Sequence, residues 1–212
     1  MWVNPLFDAS HRASALDLVR ANPLATLIVG DPVRVSHMPV LLEQRADGTH
    51  ELVGHMPRVD PASDGLIAGA NTIVVFHGAS SYISPAWYVA PGLPTYNYLV
   101  AHLEGPAQVM TDSEELRRHL LDLTAVHEEL RAVTGISWTP DEVAHARMDM
   151  LMPQIIGFRV PVSRFQVKTK LGQNRSIGDQ RSAAAALHTS PDTADQVIAE
   201  CMDASSEERS ST

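Results

Sequence analysis

Two stretches with partly alternating apolar residues, VSHMPVLLEQ (35–44) and ELVGHM (51–56), flank RADGTH (45–50). An Asp-Gly pair between such runs is a strong hairpin signal, because both residues accept the angles of a tight turn. A hairpin makes the neighbouring strands antiparallel. The rest of the chain offers further partners of the same kind. LATLIVG (24–30) reads as a buried strand followed by a DPVR turn, and NTIVVFHG (71–78) is rich in β-branched residues. SSYISPAWY (80–88) reads as a separate extended piece. YNYLVAHLEGPAQVM (96–110) reads as a long strand bent at Gly105-Pro106, and IIGFRVPVSRFQVKTKLG (155–172) as one late strand.

Helical periodicity breaks this pattern in a few places. Asp8 is placed to cap a first helix, with Ala13, Leu16 and Val19 on one face, ending before Asn22-Pro23. Leu116, Leu120, Leu123, Val126 and Leu130 recur at helical spacing between Thr111 and Val133. Thr111 with Glu114, or Asp112 with Glu115, fits a capping box at its start. TPDEVAHARMDMLMPQ (139–154) reads as a helix with N-cap Thr139 and Pro140 at the first helical position. GDQRSAAAALH (178–188) and DTADQVIAECM (192–202) supply two more, and the polar DASSEERSST (203–212) is expected to be disordered. Several short strands with appended helices predict an antiparallel β-barrel with helical decoration, α+β in class. The domain expectation is one unit over 1–187, followed by a C-terminal helix and disordered tail over 188–212.

Composition limits the partners. A formal charge of −9 opposes wrapping nucleic acid, which needs clustered Lys and Arg. No run of eighteen apolar residues is present, so no membrane span is expected. The start, MWVNPLFDASHR, lacks the basic and apolar regions of a secretory signal. A lone Cys201 makes no internal disulfide and points to a reducing cytoplasm. No zinc motif, dinucleotide fingerprint, Walker loop or serine elbow occurs.

Three constellations carry chemistry. In GHMPRVDP (54–61), His55 is a candidate ligand for a metal or a cofactor iron, and Arg58 for a phosphate or carboxylate. The competing reading is a strand-end histidine bonded to backbone beside a surface arginine. YISPAWYVAPGLPTYNYLVAHLEG (82–105) crowds Tyr82, Trp87, Tyr88, Tyr96 and Tyr98 around Asn97 and three prolines. Such rings can wall a flat-ligand pocket or pack in a core or dimer interface. KTKLGQNR (168–175) gathers Lys168, Thr169, Lys170 and Arg175 and suits an anionic ligand, or is a solvated turn. Alternation along the strand puts Lys168 and Lys170 on one side and Thr169 on the other.

In order, NPLATLIV, SHMPVLL, GHMPRVDP, YISPAWY, LPTYNYLVAHLEG and KTKLGQNR resemble the PaiB-like family, described as FMN-binding negative transcriptional regulators. The resemblance implies a flavin-reductase-like or pyridoxamine-oxidase-like split β-barrel, working as a homodimer with its cofactor pocket between subunits. The chain departs from the family pattern at Asp60, where Asn is usual, at Tyr96 for Trp, at Gly172 for Ser, and in lacking the Trp after the RVDP loop. One branch of the family, the piperazate synthases, binds haem b and cyclises N5-hydroxyornithine through a nitrogen–nitrogen bond. Likeness to that branch implies His55 as the haem-iron ligand and Arg58, Tyr82, Trp87, Tyr96, Asn97 and Arg175 around the cofactor. Lys168, Thr169 and Lys170 would then be the proton-handling set. The alternative that the family implies is an FMN-binding regulator or flavin-binding protein.

Overall fold

The computed structural model describes residues 1–9, 14–131 and 135–211. The chain divides into two compact units: Met1–Asn22 with Phe76–His102 and Phe165–Thr212, and Pro23–Val75 with Leu103–Arg164.

In the second unit, β1 (Leu24–Val29), β2 (Arg34–Gln44) and β3 (His50–Pro57) form a meander, with β1 also pairing antiparallel to the start of β4 (Asn71–Ile83). The β2–β3 turn is the Asp-Gly hairpin expected. Asp47 accepts from the Thr49 amide, and Gly48 takes φ 83°, an angle that favours glycine. β3 then pairs with β7 (Ile155–Pro161), and β7 with the short β6 (Gln108–Val109). Leu27, Leu52, Met56, Leu66, Ile156 and Phe158 are fully buried and supply much of this unit's apolar core. The short α2 (Ser63–Ile67) follows the RVDP loop.

β4 and β5 (Thr95–Pro106) run through both units, and β8 (Arg164–Lys170) completes an eight-stranded sheet in the order β6-β7-β3-β2-β1-β4-β5-β8. With six helices among the described residues, this is the α+β antiparallel split-barrel class expected. The other helices are α1 (Ser14–Ala21), α3 (Ser113–Arg131), α4 (Glu142–Leu151), α5 (Ile177–His188) and α6 (Thr193–Ser210).

Several local expectations are corrected. Asp8 follows a 3-10 turn over Pro5–Phe7 and its backbone bridges to Lys168; residues 10–13, Ala13 among them, lie outside the described residues, so the expected cap falls there too. The two pieces NTIVVFHG and SSYISPAWY are one strand to Ile83, and Pro85–Trp87 is a 3-10 turn capped by Ser84. The late strand is two, because the chain turns at Val162-Ser163, where both amides bond back to other backbone. Glu115 builds no capping box: Asp112 alone accepts from the Glu114 amide, and Glu115 is drawn to Arg159. Val126 and Leu130 lie on an exposed part of α3. Asp141, not Thr139, caps α4, since its carboxylate reaches the Ala144 amide.

The polar tail is helical rather than disordered, continuing α6 to Ser210. Ser205 and Ser206 are buried, and Arg209 donates to Gln180 Oε1 at 2.7 Å and to the Arg175 carbonyl at 3.1 Å. Its composition concealed these anchors, which lie in α5 and the loop before it.

Candidate functional site

The residues singled out from sequence fall into two groups, one in each unit. His55 and Arg58 belong to the second unit. His55 sits on β3, one residue after Gly54, on the strand face opposite buried Leu52 and Met56. Its register partner in β7 is Gly157. A Cβ added to Gly157 would lie 2.5 Å from Met110 Sδ and 3.0 Å from Leu116 Cδ1, so glycine leaves the space that α3 occupies.

α3 places His119 against His55. Nδ1 of His55 and Nε2 of His119 are 3.2 Å apart, and the rings meet edge to face. His119 is 2% exposed and occupies a core position between Leu116 and Leu123. Its own Nδ1 is buried with no hydrogen-bond partner. Burial lowers the pKa of His55. Burial, with smaller effects from His55 and Arg159, pushes His119 down to about 4, so both rings are neutral near pH 7. In a neutral pair one ring donates and the other accepts. His55 Nε2 makes no hydrogen bond among the described residues. A half-buried neutral imidazole with a free Nε2 and a partner on Nδ1 fits an iron or other metal ligand. His119 was missed in the sequence. The available signal was a polar residue three after Leu116 and four before Leu123, inside an apolar stripe.

Arg159, on the β7 strand beside this pair, gathers three carboxylates. It bonds Glu115 at 2.6 Å, Glu51 at 2.8 Å and Glu43 at 3.2 Å. Burial alone lowers its pKa, but the Glu115 bond and the charges of Glu51 and Glu43 outweigh it and raise the value. Arg58 is exposed, and its Nε donates to the Pro153 carbonyl at 3.0 Å. It lines a cavity of about 380 Å³ with the start of α3 and Arg117. Asp60, in the altered loop, accepts from Ser36 Oγ at 2.6 Å and from the Ala62 amide at 2.8 Å.

The first unit holds the aromatic and basic residues. Tyr82 and Tyr96 are 47% and 58% exposed and meet edge to face with centroids 5.9 Å apart. Trp87 and Tyr88 pack on the cluster of Ile83, Leu171, Leu187 and Met202. Asn97 is buried; its Nδ2 meets Met202 Sδ at 3.2 Å and its Oδ1 has no partner. On β8 the expected alternation holds. The Lys168 ammonium lies 5.4 Å from the Tyr98 ring centre and 5.6 Å from that of Trp2. Lys170 donates to Thr95 Oγ1 and, at 2.6 Å, to the Tyr96 carbonyl. Burial lowers the Lys170 pKa, with the Tyr98 hydroxyl opposing and the Lys168 charge adding to the fall. The Thr169 carbonyl accepts from Gln173, whose own carbonyl accepts from the Leu171 amide, so the amides of KLGQNR close the turn after β8. Arg175 is held by Asp179 at 3.2 Å, by the carbonyls of Ala90 and Pro91, and by the Tyr88 face at 4.2 Å. Its guanidinium fastens the proline-rich loop to the start of α5.

These features define an antiparallel split-barrel protein with a half-buried histidine paired to a buried one in one unit and a lysine–aromatic face in the other. A family model described as "Putative FMN-binding domain" matches residues 1–164, and the chain belongs to this PaiB-like family. The chain is 25% identical over 206 residues to protease synthase and sporulation protein PAI 2 of Bacillus subtilis, covering 96% of this chain and 97% of that one. Among solved structures, an FAD and heme binding protein from Mycobacterium smegmatis superposes with a TM-score of 0.54 at 19% identity, covering 78% of this chain and 74% of that one. The flavocytochrome Anf3 from Azotobacter vinelandii gives 0.53 at 14%, covering 78% and 70%. These two likenesses show the fold. No helix of the described residues is long and apolar enough to cross a membrane.

Proposed function

We propose that this protein is a haem-binding PaiB-like enzyme that cyclises N5-hydroxyornithine to piperazic acid, with His55 as the residue that would hold the iron. The observation that carries the reading is the His55–His119 pair at 3.2 Å, which occupies Nδ1 of His55 and leaves its Nε2 free, while burial keeps the ring neutral. The FAD and heme binding protein and the flavocytochrome among the structural relatives support a haem assignment on this fold. Bound haem would supply a Lewis acid for the substrate hydroxylamine.

The reaction is redox-neutral. The α-amine forms a bond to N5, the N5–O bond breaks, and hydroxide leaves as water with a proton. Lys170, whose pKa is lowered by burial, and Lys168 beside it are the residues assigned to deliver that proton. Thr169 lies on the other side of the strand, so a Lys168–Thr169 relay is not part of the proposal. Arg58 keeps donors beyond its bond to Pro153 and is assigned to the substrate carboxylate or a haem propionate. Tyr82 and Tyr96 are assigned to the cofactor wall. Trp87 and Asn97 pack instead on the cluster around Met202, and Arg175 is occupied by Asp179, Tyr88 and two carbonyls, so these three are not assigned to the cofactor. The assembly proposed is a cytoplasmic homodimer, with the exposed Tyr82–Tyr96 pair on the face offered to the second copy.

The test is incubation of haem-loaded protein with N5-hydroxyornithine and mass detection of the product. Loss of one water to a cyclic hydrazine supports the proposal, and unchanged substrate rejects it. A second reading, an FMN-binding regulator, is favoured by the family description and by the paired lysines beside Tyr98, which suit a flavin phosphate and ring. A flavin spectrum in the purified protein selects it.

A further inference from the structure

The least expected group in the second unit is His119. A leucine at this point of α3 would continue the stripe of Leu116 and Leu123 and bury no polar atom. Histidine instead buries two ring nitrogens, and one of them, Nδ1, finds no partner. Desolvating an unpaired polar atom opposes folding, so packing does not account for the choice. The other nitrogen, Nε2, points at Nδ1 of His55.

We propose that His119 is a positioning residue for His55: it accepts the Nδ1–H of His55 whenever His55 Nε2 carries a metal. This rests on the reading of His55 as the iron ligand. In the unligated pair the shared proton can sit on either ring. A metal on Nε2 removes that choice, because neutral His55 then carries its only proton on Nδ1. His119 Nε2, 3.2 Å away, is the acceptor there, and it fixes both the tautomer and the ring plane. Donation from Nδ1–H also makes Nε2 a stronger donor to the metal. α3 supplies the rigid support, held in place by Leu116 and Leu123 and by the Glu115–Arg159 bond. The arrangement uses an imidazole where ligand histidines often have a carboxylate or carbonyl. A neutral acceptor gives the iron less electron density than a carboxylate would.

The experiment compares wild type, His119→Leu and His119→Gln, each loaded with haem. Leucine fills the site and accepts nothing, whereas glutamine can place an oxygen near the position of Nε2. The readouts are the ferrous iron–histidine stretch in resonance Raman spectra and the rate of haem loss to an acceptor apoprotein. His119→Leu is expected to lower the stretching frequency and to weaken haem binding by about 10- to 100-fold. His119→Gln is expected to restore both toward wild type. A leucine variant equal to wild type in both readouts overturns the role, as does a glutamine variant no better than leucine. Failure of wild type to take up haem overturns the iron assignment to His55, and this inference with it.

Discussion

Replacing Arg159 with methionine tests how the face around the histidine pair is held together. The side chain is 21% exposed and neutralises Glu115, Glu51 and Glu43, all within 3.2 Å. Removing it leaves three carboxylates together, with Arg45 at 3.8 Å from Glu51 as the remaining cation nearby. Breaking one buried ion pair costs about 3–5 kcal/mol, and exposed pairs contribute about 0–1 kcal/mol. Partial exposure discounts the first figure, while the second and third carboxylates add to it. The expected loss is about 2–4 kcal/mol, a large share of the roughly 5–15 kcal/mol that stabilises a typical domain. Urea unfolding at pH 7, followed by far-UV circular dichroism, measures it. Adding Glu115→Gln to Arg159→Met should recover part of the loss, because one unpaired charge is gone. A loss below about 0.5 kcal/mol, or no recovery in the double variant, would refute the view that this network carries charge compensation.

Other outcomes follow from the same structure. His119 has a folded pKa of about 4 against 6.5 for the free side chain, so its contribution to stability is intact above pH 6.5 and falls as the pH drops to 4. This part of the loss in cofactor-free protein should reach about 3 kcal/mol, and His119→Leu should lose less by about that amount in parallel urea titrations. Gly157→Ala drives a methyl toward Met110 and Leu116 and should cost about 1–3 kcal/mol in thermal or urea unfolding. Arg209→Ala removes the bonds to Gln180 and the Arg175 carbonyl; amide exchange in the last turns of α6 should rise by at least tenfold. Lys170→Met should slow turnover while leaving haem content unchanged, and an unchanged rate would remove Lys170 from proton delivery.

Much of the sheet was legible in local signals. The Asp47-Gly48 turn, the alternation from Lys168 to Lys170 and the β-branched run in β4 each depend on neighbours in sequence. What local signals missed depended on distant partners. Glu115 fits a capping box but has Arg159 within reach. The tail looks too polar to order, yet Arg209 finds Gln180 and Ser206 is buried within reach of Arg181. His55 could be singled out from its motif; His119, sixty-four positions later, shows in sequence only as a polar residue in an apolar stripe, and the packing of α3 against β3 gives it its role. Arg175 looked like a ligand-binding cation and is occupied by Asp179, Tyr88 and two carbonyls, which no spacing rule reveals.

The central claim is that His55 holds haem iron, and the visible spectrum of the purified protein beside that of His55→Ala tests it most directly. The account predicts a Soret band in the wild type that is lost or strongly reduced in the variant. A flavin spectrum without haem, or equal haem content in the two proteins, would contradict it.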